Sequence, residues 1–489
     1  MRAARTALAR DFVSSSTMFV RSIAAVLTAI LMATSASPAA AQGTAPVLVV
    51  GGTPAGVAAA VAAARRGQNV DLVTRRSELG GILSDAMMDQ WDLNLSRDGT
   101  RIQGGIFSEI YAQLGDSFTP AAAARTFHEL LAHEPRVHVL TDANVVSVET
   151  RPSGSAREIE RVDFRTTSGR PVSIAPSAVV DATDNGDVAA LAGARYDLGR
   201  QDTGHDERMQ PVTLFFTLDG VDWATLESTY DVRRFGPGGA TDRRAWGYGD
   251  LMQAYAPSQS DILIRDLNLG HEDGGGVTVN AIDVLGIDGL RDADRARARL
   301  ETKREAPRLV AWLRTHLPGF ANARVDRYAD AMYVRETRHF AGLERLTADD
   351  IWAGRVPLDT IGLSSYPLDV HPTTAAEKPA YAPVRHIYGV PLGTLIPRDL
   401  TNVILASPAI SATHLAAGSA RIVPTTIEEG EAAGVALALA ADRNESVSTL
   451  ARDAAGLIAL RADLVRDGVI LPAISVKAVA RVRMGARRA

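Results

Sequence analysis

The chain has 489 residues, 46% of them hydrophobic, and a formal net charge of −5 at pH 7. That is enough chain for two domains with cores of their own, and the acidic balance argues against nucleic acid or an anionic membrane as the main partner. No cysteine is present, which excludes disulfides, iron–sulfur clusters, thiolate metal sites and dithiol redox chemistry, so electron chemistry needs a bound cofactor.

Near the N-terminus Arg21 precedes an apolar run from Ile23 to Met32, followed by small residues and Ala39-Ala40-Ala41 before Gln42. This pattern predicts a signal peptide over residues 1–41, the apolar run being short for a membrane span of about 20 residues. Met18 stands where such a peptide normally begins. The segment holds Arg2, Arg5, Arg10 and Arg21 against Asp11, a net +3 whose removal takes the chain from −5 to −8. The expected location is the periplasm or the outside of the cell. No later segment has the length and apolarity of a membrane span.

Val47 to Val50 is a continuous apolar run of the kind a buried parallel strand shows, and it meets Gly51-Gly52-Thr53-Pro54-Ala55-Gly56 directly. An Ala-rich helix closed by Gly67 and a second strand over Val70 to Val73 complete a βαβ unit within about 30 residues. A diphosphate is best held by the free N–H groups at a helix N-terminus. Gly51 permits the tight turn and Gly56 lets helix and strand pack closely, while Thr53 replaces the middle glycine and offers its hydroxyl to a phosphate oxygen. At the end of the second strand, where a ribose-binding acid normally stands, are Thr74, Arg75 and Arg76. Either Thr74 hydrogen-bonds the ribose of FAD, or the arginines recognise a 2′-phosphate and the cofactor is NADP.

Leu79-Gly80-Gly81 follows. Residues 178–187, AVVDATDNGD, predict an apolar strand running into a turn that carries Asp181 and Thr183. Residues 204–385 are richer in Trp, Tyr, Asp and Arg, with β-like runs at Val212 to Leu218 and Val277 to Val284, and are expected to form an inserted substrate or cap domain. Within it, a strand over Tyr333 to His339 would put Tyr333, Arg335, Thr337 and His339 on one face and Glu336 with Arg338 on the other. Trp91, just after the glycine pair, is a candidate for stacking on a ring. His128, His133 and His138 show no metal-ligand spacing, and no metal is predicted.

Residues 396–440 supply a last strand and a long helix of small residues. Thr425 or Thr426 is positioned to cap it, Thr426 and Glu429 have capping-box spacing, and Gly430 with Gly434, one turn apart, bares a face for close packing. Residues 446–489 are expected to be a helical tail packed on the exterior, with a solvated basic end from Lys477 to Arg488.

The GGTPAG turn, Gly80-Gly81, the AVVDATDNGD strand and turn, YVRETRHF at 333–340 and the closing segment resemble, in the right order, the FAD-dependent oxidoreductases of the glutathione-reductase and fumarate-reductase flavoprotein superfamily. The resemblance implies an α/β fold: a discontinuous Rossmann-like FAD-binding domain, 44–203 and 386–445, with a β-rich α+β cap inserted over 204–385. It implies FAD as the cofactor, held by Gly51, Gly52, Thr53, Pro54, Ala55, Gly56, Thr74, Arg75, Gly80, Gly81, Asp181, Thr183, Thr425, Gly430 and Gly434. The closing helix N-terminus would face the flavin pyrimidine ring and the substrate would lie between cap and flavin. Ser407-Pro408-Ala409 stands where the pattern has Gly-Arg-Cys, which removes thiol chemistry. His414 and His339 are the candidate bases and Arg335 the candidate fixed cation for hydride transfer from a small polar substrate, a sugar or polyol among them. In an exported enzyme the electron acceptor would be oxygen, a quinone or a cytochrome. The alternative is a flavin-binding electron carrier without turnover.

Overall fold

Five short parallel strands carry the nucleotide-binding half, and a computed structural model describes them within residues 45–473. Residues 1–41, read as a signal peptide, and the basic end from Lys477 lie outside the described residues. The sheet order is Val403–Leu405, Ala178–Asp181, Val47–Val50, Val70–Val73, Val137–Leu140. Val47 pairs with Val70 on one side and Ala178 on the other, all in parallel register. Val47–Val50 is buried along its whole length, as a central strand covered on both faces must be.

Two helices lie against this sheet. Pro54–Arg65 leaves the first strand, and Val423–Asp442 packs along it; both are rich in alanine, and both are almost wholly buried. A hydrophobic core joins the sheet, both helices and residues as distant as Phe340, Ile361, Leu395 and Leu464. The helix Ala454–Arg466 buries Leu457, Leu460, Arg461 and Leu464, so this part of the expected exterior tail belongs to the core.

The insertion has a second core, built from Phe216, Trp223, Phe235, Tyr248, Leu269, Leu309 and Phe320 among others. It lies on a six-stranded antiparallel sheet, Gly239–Ala240, Arg244–Gly247, Leu267–His271, Val277–Asn280, Phe216–Asp219 and Arg324–Tyr328, backed by the helix Asp292–His316. The runs expected at 212–218 and 277–284 are each split into two strands that enter different sheets. From Tyr333 to Val390 the chain returns to the first core, through Tyr333, Phe340, Ile351, Ile361, Tyr388 and Val390. Among the described residues no helix is long and apolar enough to cross a membrane.

Candidate cofactor and substrate site

The first strand ends in a turn that tolerates no side chain at two points. Gly51 has φ +117°, and a Cβ there would lie 2.3 Å from the Ala182 carbonyl oxygen; at Gly56 a Cβ would lie 2.0 Å from the Gly51 oxygen. Thr53 caps the helix: its Oγ1 accepts from the Gly56 N–H (3.1 Å) and donates to the Ala182 oxygen (3.0 Å). The Thr53 proton is therefore committed to the fold, which corrects the expectation that it serves a phosphate. The free N–H groups of the helix start remain to hold a diphosphate.

A cavity of about 940 Å³ opens over this turn, lined by Gly51, Gly52, Thr53, Thr74, Arg75, Gly81 and Thr183. That volume falls within the roughly 300–1,000 Å³ of cofactor pockets. Thr74 is buried, and its Oγ1 accepts from the Arg76 N–H at 3.4 Å. The Arg76 guanidinium is paired with Asp85 at 3.2 Å. Gly80 is not on the lining; its N–H donates to the Gly52 oxygen at 2.7 Å and fixes the glycine pair against the diphosphate turn. Asp181 also turns inward, accepting from Thr183 N, Thr183 Oγ1 and Ala189 N, and burial pushes its carboxyl up to about 6 in spite of these donors. It holds the turn rather than the cofactor.

A smaller cavity, about 40 Å³, continues the large one and shares Thr53, Ile82, Asp184, Tyr333 and Val334 with it. Pro54 and Ala55 at the start of one helix, and Val423 and Thr426 at the start of the other, line it together with Arg335 and Arg421. Two helix N-termini and two guanidiniums thus converge on one small space, with Asp184 on the wall it shares with the large cavity. A channel runs from Thr74 past the diphosphate turn to the wall at Tyr333 and Val334, the path FAD needs, and the residues present fit that cofactor.

Several expected contacts fall elsewhere. The closing helix has no side-chain cap: Ile422 is the N-cap residue, Thr426 Oγ1 donates to the Val423 oxygen, and Thr425 Oγ1 accepts from Asn94 Nδ2. Thr425 lines neither cavity, and the capping box is absent because both Glu429 oxygens are buried without partners. A Cβ at Gly430 would lie 2.0 Å from the Ala55 oxygen and one at Gly434 2.4 Å from the Ala59 oxygen. These glycines seat one helix on the other and do not face the cofactor space. Trp91 is a core residue, edge-on to Phe107 at 5.3 Å, and its Nε1 donates to the Gly115 oxygen.

The strand expected over 333–339 is broken into Tyr333–Val334 and Arg338–Phe340. The break rotates Glu336 onto the same side as His339: His339 Nε2 donates to Glu336 Oε1 at 2.8 Å and His414 Nδ1 donates to the same oxygen at 2.7 Å. Both histidines are buried and line neither cavity. The placement of His414 and His339 as bases facing the substrate is thereby corrected. Burial raises the Glu336 carboxyl, but hydrogen bonds from the two histidines outweigh it and hold it down to about 2. Burial lowers His414, and the Glu336 hydrogen bond and charge reverse this, leaving it raised above 6.5.

Arg335 does reach the small cavity, and it leads to a polar cage that the sequence did not announce. Its guanidinium pairs with Asp283 (3.1 Å) and donates to Thr213 Oγ1 and the Pro211 oxygen. His371 Nδ1 donates to Asp283 Oδ2 at 2.7 Å, and its Nε2 lies 3.4 Å from Asp369. Arg421 bonds to the Tyr333 hydroxyl and to Asp369. These residues come from separate stretches of chain, and of them the sequence pattern brought together only Tyr333 and Arg335.

The sequence profile of the FAD dependent oxidoreductase family matches residues 46–464. No protein of curated function matches the chain. Among solved structures it is similar to a geranylgeranyl bacteriochlorophyll reductase-like protein from Thermoplasma acidophilum, at 13% identity and TM-score 0.42 over 89% of this chain and 95% of that one. It is also similar to the p-nitrophenol 4-monooxygenase of Pseudomonas putida, at 16% identity and TM-score 0.33 over 62% of this chain and 70% of that one. At such TM-scores neither structure informs the chemistry of this chain.

Proposed function

The chain belongs to the FAD dependent oxidoreductase family, and from that premise we propose that it is an exported dehydrogenase or oxidase for a small polar organic substrate. Bound FAD supplies the chemistry that takes a hydride at N5 and passes its electrons to oxygen, a quinone or a cytochrome. The observation that carries the reading is the end of the channel: past the diphosphate turn it closes on Tyr333, Arg335 and Arg421, buried polar groups that a diphosphate does not need.

In this proposal the N–H groups of Gly52, Thr53 and Ala55 hold the diphosphate and Thr74 with Arg75 receives the ribose end. Arg335 and Arg421 orient the substrate. Tyr333 is the proton-handling group, since its hydroxyl accepts from Arg421 and keeps its own proton available at a wall common to both cavities. Replacing Tyr333 by Phe should slow substrate-dependent flavin bleaching by roughly a hundredfold or more with flavin content unchanged; an unaltered rate would remove Tyr333 from the mechanism. The purified protein is expected to be yellow, and a colourless preparation that takes up no FAD sinks the whole reading. For export, the protein recovered from the periplasm or medium is expected to begin at Gln42, read by N-terminal sequencing. Stoichiometric reduction and cycling with NADPH would overturn the electron route.

A further inference from the structure

We propose that the substrate of this enzyme carries a carboxylate group, received by the Nε–H donors of Arg335 and Arg421 at the small cavity. The inference rests on reading that cavity as the substrate end of the channel, and it narrows the substrate class beyond a polar molecule in general.

Arg335 is 4% exposed and Arg421 8%. Charges so deeply buried are costly unless every donor is met. The terminal nitrogens are met: those of Arg335 by Asp283, Thr213 and the Pro211 oxygen, those of Arg421 by Tyr333 and by both the backbone and the carboxylate of Asp369. On each guanidinium the Nε is buried and has no partner. Arg66, Arg101, Arg338 and Arg461 share that feature, but none of those four lines the small cavity, whereas Arg335 and Arg421 both do. Two unmet cationic donors on one cavity call for an acceptor that is itself charged.

The acids already present do not supply it: Asp184, on the wall common to both cavities, makes no ion pair with either guanidinium, and burial pushes its carboxyl up to about 6. Asp283 is engaged by Thr213, Arg335 and His371, and Asp369 by Arg421 and His371. They fix the positions of the guanidiniums. A third arginine, Arg265, lies 3.2 Å from His371. Asp266 and Asp92 line neither cavity, and burial raises both carboxyls. Size agrees as well. A water needs about 10–15 Å³ of such space, so 40 Å³ admits the three heavy atoms of a carboxylate while the rest of the molecule occupies the larger cavity. A neutral polyol can accept from these donors but makes only the weaker bond of an uncharged acceptor, and an amine would meet like charge.

The test uses the FAD-loaded protein and follows the flavin absorbance during titration with glycolate, gluconate and benzoate, each beside its neutral counterpart, ethylene glycol, sorbitol and benzyl alcohol, with inorganic phosphate as a further arm. At least one carboxylate is expected to perturb the spectrum saturably where its neutral counterpart does not. Arg335→Met and Arg421→Met are each expected to weaken that binding at least about tenfold, and Arg421→Lys, which keeps the charge but loses the Nε–H, to weaken it too. The proposal is overturned if no carboxylate perturbs the flavin, if neutral analogues bind as tightly, if phosphate alone binds, or if the variants shed FAD or move its potential while carboxylate binding is unchanged. Should a variant fail to fold, the comparison of acids with neutral analogues on the unaltered protein decides. A protein without flavin would instead overturn the reading of the site itself, a separate result.

Discussion

Glu336 holds two histidines on one oxygen, and its pH behaviour follows from that arrangement. Its folded carboxyl lies near 2 against a usual 4.5, so its stabilisation is complete above 4.5 and lost as pH falls toward 2. His414 has the opposite sign: raised above 6.5, it contributes fully below 6.5 and the contribution fades as pH rises through the folded value. Both contributions are complete only between 4.5 and 6.5. Glu336→Gln should therefore cost about 3 kcal/mol in that window, with a smaller penalty on either side, measured as the difference in unfolding free energy across pH. A pH-independent penalty would show that the carboxylate acts through shape alone. At this scale the sequence was half legible. His414 and His339 stood out as titratable groups, but Glu336 was placed on the opposite face because strict strand alternation was assumed, and the chain breaks that alternation between Val334 and Arg338.

The closing helix and the diphosphate helix work as one element pair. Their contact depends on absent side chains at Gly430 and Gly434, where a Cβ would meet the backbone oxygens of Ala55 and Ala59, groups that cannot move aside. Gly430→Ala and Gly434→Ala are each expected to cost about 1–3 kcal/mol and to weaken FAD binding, because they displace the two helix starts that converge on the channel. Gly274, with nothing within 4 Å of its added Cβ, supplies the neutral control. Thermal unfolding and FAD titration check both; an alanine at 430 as stable as the parent would mean the helices separate freely. Elements of this kind were readable in advance: the apolar strand, glycine turn and alanine-rich helix obey local rules, and the paired glycines announced a close approach. The cap of the closing helix was not readable, since Thr425 is drawn to Asn94 and Thr426 to Val423, partners fixed only by tertiary packing.

The molecule as a whole places its large cavity between two cores. Thr74, Arg75 and Gly51 reach it from the parallel sheet, while Asp292, Arg295 and Arg299 reach it from the first turns of the cap helix Asp292–His316. Arg299 also donates to the Ala329 and Asp330 oxygens (2.9 and 2.7 Å), and Arg76, from the nucleotide-binding half, reaches the same Asp330 oxygen at 3.5 Å. This loop is one place where the two halves are tied, beside the cofactor space. The polar cage escaped sequence reading for the same reason: Asp283, Tyr333, His371 and Arg421 meet only once the insertion has folded back on the first core. A ligand that touches both halves must stabilise both, since it binds neither when they are unfolded. FAD at a hundred times its Kd is therefore expected to add about 2.7 kcal/mol to the folded state and to raise the unfolding of the cap together with that of the nucleotide-binding half. Calorimetry with and without FAD reads this directly. A cap transition that stays at the same temperature when FAD is added would mean that Arg295 and Arg299 line the cavity without holding the cofactor, and that the insertion serves the substrate alone.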